Sequence, residues 1–413
     1  MTPTTHHNND KKKDAEGLQL SDDLLAALAK FKQIELEDFQ LEAKELEILF
    51  EPGMAASVLP KLKLPAGVSA AGGKPTSLLS ASFLPPIEKY QNQIAKVKLG
   101  ATKSEGGTRG KTVTVGGELS PAFYSFENPT PHKPVVTLDV FDMEVPLSKA
   151  VKMHVKDVVG DPAAWAKLAV EKFGADMVTM HLISVDPLLK DATPKDACKT
   201  IEKVLQAVDV PLVIGGCGDP VKDTALFEEV CAQFPGERFL MSSVTRDMNV
   251  EKCAKFIKQA GHAILAFTPM DLNFARELNR RLFDYVKRED IVMDLTTAAL
   301  GYGLDYAFTN MERARIGGLM GDLELAQPMS SGTTNAWAAR EAWLKMSADW
   351  EPRELRGPLW EVTTALTLLT AGVDLFMMMH PAAVKTLKDV TNYMTANKKA
   401  DPAKFLDWVK VKA

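Results

Sequence analysis

Cysteine is scarce and scattered in this chain. Cys198, Cys217, Cys231 and Cys253 form no C-x2-C pair, unlike the clustered ligands of iron–sulfur or structural zinc sites, and read as reduced structural thiols. Long hydrophobic runs are missing too. With no apolar stretch of about 18 residues and no charged-then-apolar leader, neither a membrane span nor a secretory signal is expected, and the chain reads as cytoplasmic. Charge of one sign is not in excess: a net charge of -5 over 413 residues provides no electrostatic footprint for nucleic acid. Glycine is absent at one decisive place. EGGTRGKT (105–112) would be a nucleotide-binding P-loop if Glu105 were glycine. The carboxyl group stands where an anion would sit, and the flanks KVKL (96–99) and TVTVGG (112–117) alternate like strands. The stretch therefore predicts a β-hairpin with a glycine-rich loop and no bound phosphate.

What is present fits a soluble globular protein of one large domain plus an appendage: 46% of residues are hydrophobic and 25% charged. Residues 1–20 are polar and lysine-rich and predict a flexible tail. Residues 21–50 combine a short amphipathic helix after Ser21 with alternating apolar and acidic residues, a small appended α/β module. Residues 51–90, rich in Pro, Gly, Ala and Ser, read as a linker, and 91–130 as the hairpin leading into the main domain.

From Pro134 the pattern alternates apolar strands with amphipathic helices. Eight strands are expected at 135–142, 177–184, 211–218, 238–244, 263–268, 291–297, 326–331 and 374–380. Helices are expected at 161–174, 219–234, 249–261 and 335–346, among others. Eight such units over residues 131–400 predict an α/β fold of the TIM-barrel type, (β/α)8, with an N-terminal extension and a preceding β-hairpin. The competing doubly wound sheet usually carries a glycine-rich turn after its first strand, and DVFDMEVP (139–146) has none.

In a barrel, function sits where the strands end. The residues expected there are Asp142, His181, Ser184, Cys217, Asp219, Ser243, Arg246, Thr268, Asp271, Asp294, Thr297, Ser330, Ser331 and His380. No lysine lies in the eight strand segments, which removes a Schiff-base nucleophile. His181, Asp294 and His380 come from isolated positions without metal-ligand spacing, and single histidines at strand ends more often hydrogen-bond locally. Thr333, Thr334 and Asn335, in SSGTTNAW, are placed to cap a helix and offer N–H groups to a polar ligand. Gly301 and Gly303 allow backbone to approach a ligand, or serve only the turn. Met377, Met378 and Met379 read as packing, and Cys217 as a small apolar plug. The rim is polar but catalytically sparse, with no complete catalytic or metal constellation.

KLGATKSEGGTRGKTVTVGGE (98–118), PLVIGGCGDPVKD (211–223), FTPMDLNFARELN (267–279), GYGLDYAFTNMERARIGGLMGD (301–322) and LWEVTTALTLLTAGVDLFMMMHPAAV (359–384) resemble the small subunit of the corrinoid iron–sulfur protein, also called the delta subunit of the acetyl-CoA decarbonylase/synthase complex. The resemblance spans roughly residues 94–394. It implies a (β/α)8 barrel paired with a large subunit that holds the [4Fe–4S] cluster and the corrinoid-binding domain. The corrinoid (a cobamide) would lie against the barrel top, at the interface. It implies an anaerobic methyl carrier of the acetyl-CoA (Wood–Ljungdahl) pathway of carbon fixation, serving methyltetrahydrofolate methyltransferase and acetyl-CoA synthase, with this chain not catalytic alone. On that footing Thr333, Thr334, Asn335, Gly301, Gly303, Asp294 and His380 are the expected cofactor-side residues, with no catalytic residue and no metal ligand in this chain. No D-x-H-x-x-G run, the motif that supplies cobalt with histidine in other corrinoid proteins, is present. In the family pattern the sixth strand runs from aspartate into proline; here Leu295 follows Asp294. A pterin-dependent TIM-barrel methyltransferase remains the alternative, with Asp219, Asp294 and Asn335 as its pterin-edge residues, and a purely structural scaffold the third reading.

Overall fold

The computed structural model describes residues 88–124 and 129–396. The expected tail, the appended module and all but the end of the expected linker lie outside the described residues. The first regular element is an antiparallel hairpin of β1 (Lys96–Leu99) and β2 (Val113–Gly116), with Lys96 opposite Gly116 and Leu99 opposite Val113. EGGTRGKT forms its loop: a 3-10 turn, Lys103–Glu105, ends on Gly106 in the left-handed region at φ 91°, and no helix follows. Without a helix N-terminus there is no phosphate cradle.

Eight parallel strands close a barrel: β3 (Val135–Phe141), β4 (Met177–His181), β5 (Leu212–Gly215), β6 (Leu240–Val244), β7 (Ala263–Phe267), β8 (Ile291–Asp294), β9 (Met329–Gly332) and β10 (Leu375–Met378), which pairs with both β9 and β3. The fold is thus the expected (β/α)8 barrel. Local chemistry starts the helices between strands. Asp161, Thr193, Asp219, Asn249 and Asp271 each accept backbone N–H groups as N-caps, and proline follows Asp161, Thr193 and Asp219.

One expected helix is corrected. Residues 335–346 form no α-helix; 3-10 turns at Thr333–Ala338 and Arg340–Ala342 lead to the crossover helix Arg356–Thr370. The amphipathic pattern is real, but Thr333, Thr334 and Asn335 bind barrel groups rather than capping a helix, which holds the chain out of the α register. Gly357 makes room for the displaced Trp337, whose ring a Cβ at that glycine would meet at 2.1 Å.

Alternate strand residues fill the bore. Val97, Leu99 and Val115 of the hairpin join one apolar cluster with Val135, Met177, Val213, Leu240, Val292 and Leu375. The hairpin therefore seals the N-terminal end of the barrel, and the other end remains for function. Beside the seal, buried Arg315 is clamped by Glu118 at 2.6 Å and Asp374 at 2.5 Å.

Candidate functional site

Toward the strand C-termini the inward side chains change from apolar to polar. Thr137 and Thr179 hydrogen-bond across β3 and β4 at 2.8 Å. Two residues further on, Asp139 (2% exposed) faces His181, with 3.2 Å between Oδ1 and Nε2. The Thr334 hydroxyl lies 2.5 Å from the other oxygen of Asp139 and 3.2 Å from the Met377 carbonyl. Burial would lower the pKa of His181, but the charges of Asp139 and Asp142 outweigh it and raise the value above that of ordinary histidine. Across the bore, buried Asp294 accepts from Thr296 N at 2.9 Å and from Ser330 Oγ at 3.2 Å. Removal from water pushes its pKa up to about 6, against those two hydrogen bonds.

The other expected residues mostly serve structure. Thr333 is fully buried in a hydroxyl chain, 2.9 Å from Ser331, which is 2.9 Å from Thr297. Asn335 donates to the Thr297 carbonyl at 2.9 Å. His380 accepts from Ala382 N at 3.1 Å as the cap of helix Pro381–Thr395, and burial lowers its pKa to about 4. Gly301 and Gly303 adopt φ of 79° and 100°, which their turn requires. Asp223 takes the Cys217 and Gly218 N–H groups at 2.8 and 2.9 Å, and burial raises the Cys217 thiol to about 11, so it is no thiolate. Among the described residues, no group of three or more His, Cys, Asp and Glu is arranged to hold a metal ion.

Two acids escaped the sequence reading. Asp139 sits inside the apolar run VVTLDVF, and that lone charge at an inward position was the available signal. Glu361, mid-helix and fully buried, accepts from Met379 N at 2.6 Å and His380 N at 3.0 Å, and burial raises its pKa to about 8. No local pattern marks it.

Around the polar mouth apolar side chains are exposed: Leu188 (90% exposed), Met270, Tyr302 and Trp343 come from four different loops and Val221 from the first turn of helix Pro220–Gln233. A cavity of about 380 Å³ opens between Pro146, Leu147, Ser148, Trp337, Trp343 and Met379.

Residues 96–350 match a family model described as CO dehydrogenase/acetyl-CoA synthase delta subunit. The chain is 53% identical over 342 residues to the acetyl-CoA decarbonylase/synthase complex subunit delta of Archaeoglobus fulgidus, covering 81% of this chain and 76% of the relative. The chain belongs to this delta-subunit family. Delta subunit 1 of Methanosarcina thermophila is 49% identical, over 82% of this chain and 79% of its own length. The Methanothermobacter thermautotrophicus subunit is 44% identical, over 91% and 94%. Among solved structures, a dihydropteroate synthetase with product matches at a TM-score of 0.45 and 12% identity, covering 64% of this chain and 95% of the other. This delta-family chain presents its polar mouth and apolar rim at the same end of the barrel. Among its described residues, no helix is long and apolar enough to cross a membrane.

Proposed function

We propose that this delta-family chain is the small subunit of a corrinoid iron–sulfur methyl carrier, and that its barrel top covers a corrinoid held jointly with a large subunit. The observation that carries the reading is the set of exposed apolar side chains around a polar mouth, Leu188, Val221, Met270, Tyr302 and Trp343, each from a separate strand-to-helix segment. Burying such side chains against a partner and a large, mostly apolar macrocycle contributes about 25 cal/mol per Å². The residues fit such a group. The Cys217 thiol is held protonated, the eight strand segments carry no lysine, and His380 is occupied as a helix cap.

A bound corrinoid would supply the cobalt that takes up and hands on a methyl group. This chain's own residues exclude water and support the rim. Thr334 and Asn335 anchor the 333–338 turn to Asp139 and Thr297, which fixes Trp337 at the cavity wall. Asp294 stiffens the floor, and Gly301 and Gly303 shape the loop that carries Tyr302. The [4Fe–4S] cluster belongs to the large subunit in this reading, and methyltetrahydrofolate methyltransferase and acetyl-CoA synthase are the donor-side and acceptor-side partners. The carrier is favoured over a pterin-binding methyltransferase because Asp294, only 7% exposed and already accepting from Thr296 N and Ser330 Oγ, presents little surface to a pterin edge.

The test is anaerobic affinity purification of the chain from its native cells. A near-stoichiometric larger chain with corrinoid and iron–sulfur absorbance is expected. A colourless, partner-free chain that binds methyltetrahydrofolate would overturn the carrier reading.

A further inference from the structure

One group at the mouth is held in place without being used by the fold. Phe141 stacks on the His181 ring with centroids 5.0 Å apart. Asp139 faces Nε2 from below and is itself held by Thr334. Nδ1 has no hydrogen-bond partner among the described residues. It lies over Gly215, where an added Cβ would come within 3.4 Å of it, so no side chain competes for that nitrogen. The side chain keeps 27% of its surface exposed at the mouth. The charged groups acting on the ring are Asp139 of β3 and Asp142 just beyond that strand. Phe141 and Gly215, which also face it, carry no charge.

Both carboxyl groups favour the imidazolium, which has two N–H donors. One, at Nε2, stands in an ion-pair contact 3.2 Å from Asp139. The other, at Nδ1, opens onto the space above glycine. An apolar rim can cover the hydrocarbon of a macrocycle but cannot satisfy an amide oxygen buried with it.

We propose that His181, oriented by Asp139, donates Nδ1–H to a carbonyl oxygen of the corrinoid's peripheral amide groups and so grips the edge of the cofactor. The inference rests on the carrier reading above. His181 thereby becomes a binding residue and Asp139 a positioning residue.

The test uses heterodimers of the full chain and the large subunit loaded with hydroxocobalamin, and measures the rate of cobalamin loss at pH 6 and pH 9. In the unsubstituted heterodimer, loss should be roughly tenfold or more faster at pH 9, since a hydrogen bond from a charged donor disappears as His181 deprotonates. His181→Gln, whose amide donates without titrating, should flatten the profile, and His181→Ala should lose cobalamin rapidly at both pH values. Glu361, which also titrates in this range, is intact in both variants, so its contribution would persist in the Gln profile. Equal rates for the unsubstituted and His181→Ala heterodimers at pH 6, or no pH effect without substitution, would overturn the inference and leave the carrier reading standing. An unsubstituted heterodimer that assembles but holds no cobalamin would overturn both.

Discussion

Asp294 and His181 sit in the same bore and both pKa values are raised, but for opposite reasons: burial favours the neutral acid, whereas neighbouring carboxylates favour the charged imidazolium. Asp294 has hydrogen bonds but no cation beside it, so burial dominates and its pKa rises to about 6. Unfolded aspartate titrates near 3.9. The folded state therefore binds more protons between about pH 4 and 6, and stability falls as pH rises through that window. The gap of about two pH units corresponds to roughly 3 kcal/mol. Asp294→Asn should remove this slope, so that the variant's melting temperature gains on the parent between pH 4 and pH 7; parallel melting curves across that range would contradict the assignment. His181 has the opposite dependence on its neighbour. Asp139→Asn removes the charge that raises its pKa, and the ring-proton titration of His181, followed by NMR in the full chain, should move to lower pH. The residue types at the strand ends were readable from sequence. Their pairings were not, because Asp139 and His181 are 42 positions apart and meet only through strand register.

At the scale of elements, the helix starts and most of the strands were legible because caps, prolines and alternation act over a few residues. The turn at 333–338 was not, since its conformation is decided by hydrogen bonds to β3, to the end of β8 and within β9. Glu361 joins two elements the same way: it ties helix Arg356–Thr370 to the end of β10 through two backbone N–H groups. Glu361→Ala would orphan both, at a cost of about 1–3 kcal/mol each. A drop of several degrees in melting temperature is expected by calorimetry, larger than for an alanine substitution at exposed Glu88. The hairpin seal offers a matched test. Leu99 is fully buried in the cluster that closes the bore, so Leu99→Ala should destabilise by about 2–5 kcal/mol, measured by denaturant midpoint, without changing what binds at the far end.

For the whole molecule, the two ends of the barrel differ in kind. The N-terminal end is filled by the hairpin and the Arg315 clamp, whereas the C-terminal end exposes apolar loops around a polar centre. Replacing Leu188 and Val221 together with serine should weaken association with the proposed large subunit, read by analytical ultracentrifugation, and leave the melting temperature of the isolated chain nearly unchanged because both side chains are already largely solvated. Deleting residues 1–87 should preserve cooperative unfolding of the remainder, because the hairpin and barrel share their own apolar clusters. Composition, strand–helix alternation and the family blocks were enough by themselves to determine the barrel, the hairpin and the family, because they depend on short-range periodicity and on long runs of residues. Only the tertiary structure decided which acid faces which histidine, which nitrogen is left open, and that the 335–346 segment is anchored rather than helical. Those outcomes depend on contacts between residues far apart in the chain, brought together by the register of eight strands.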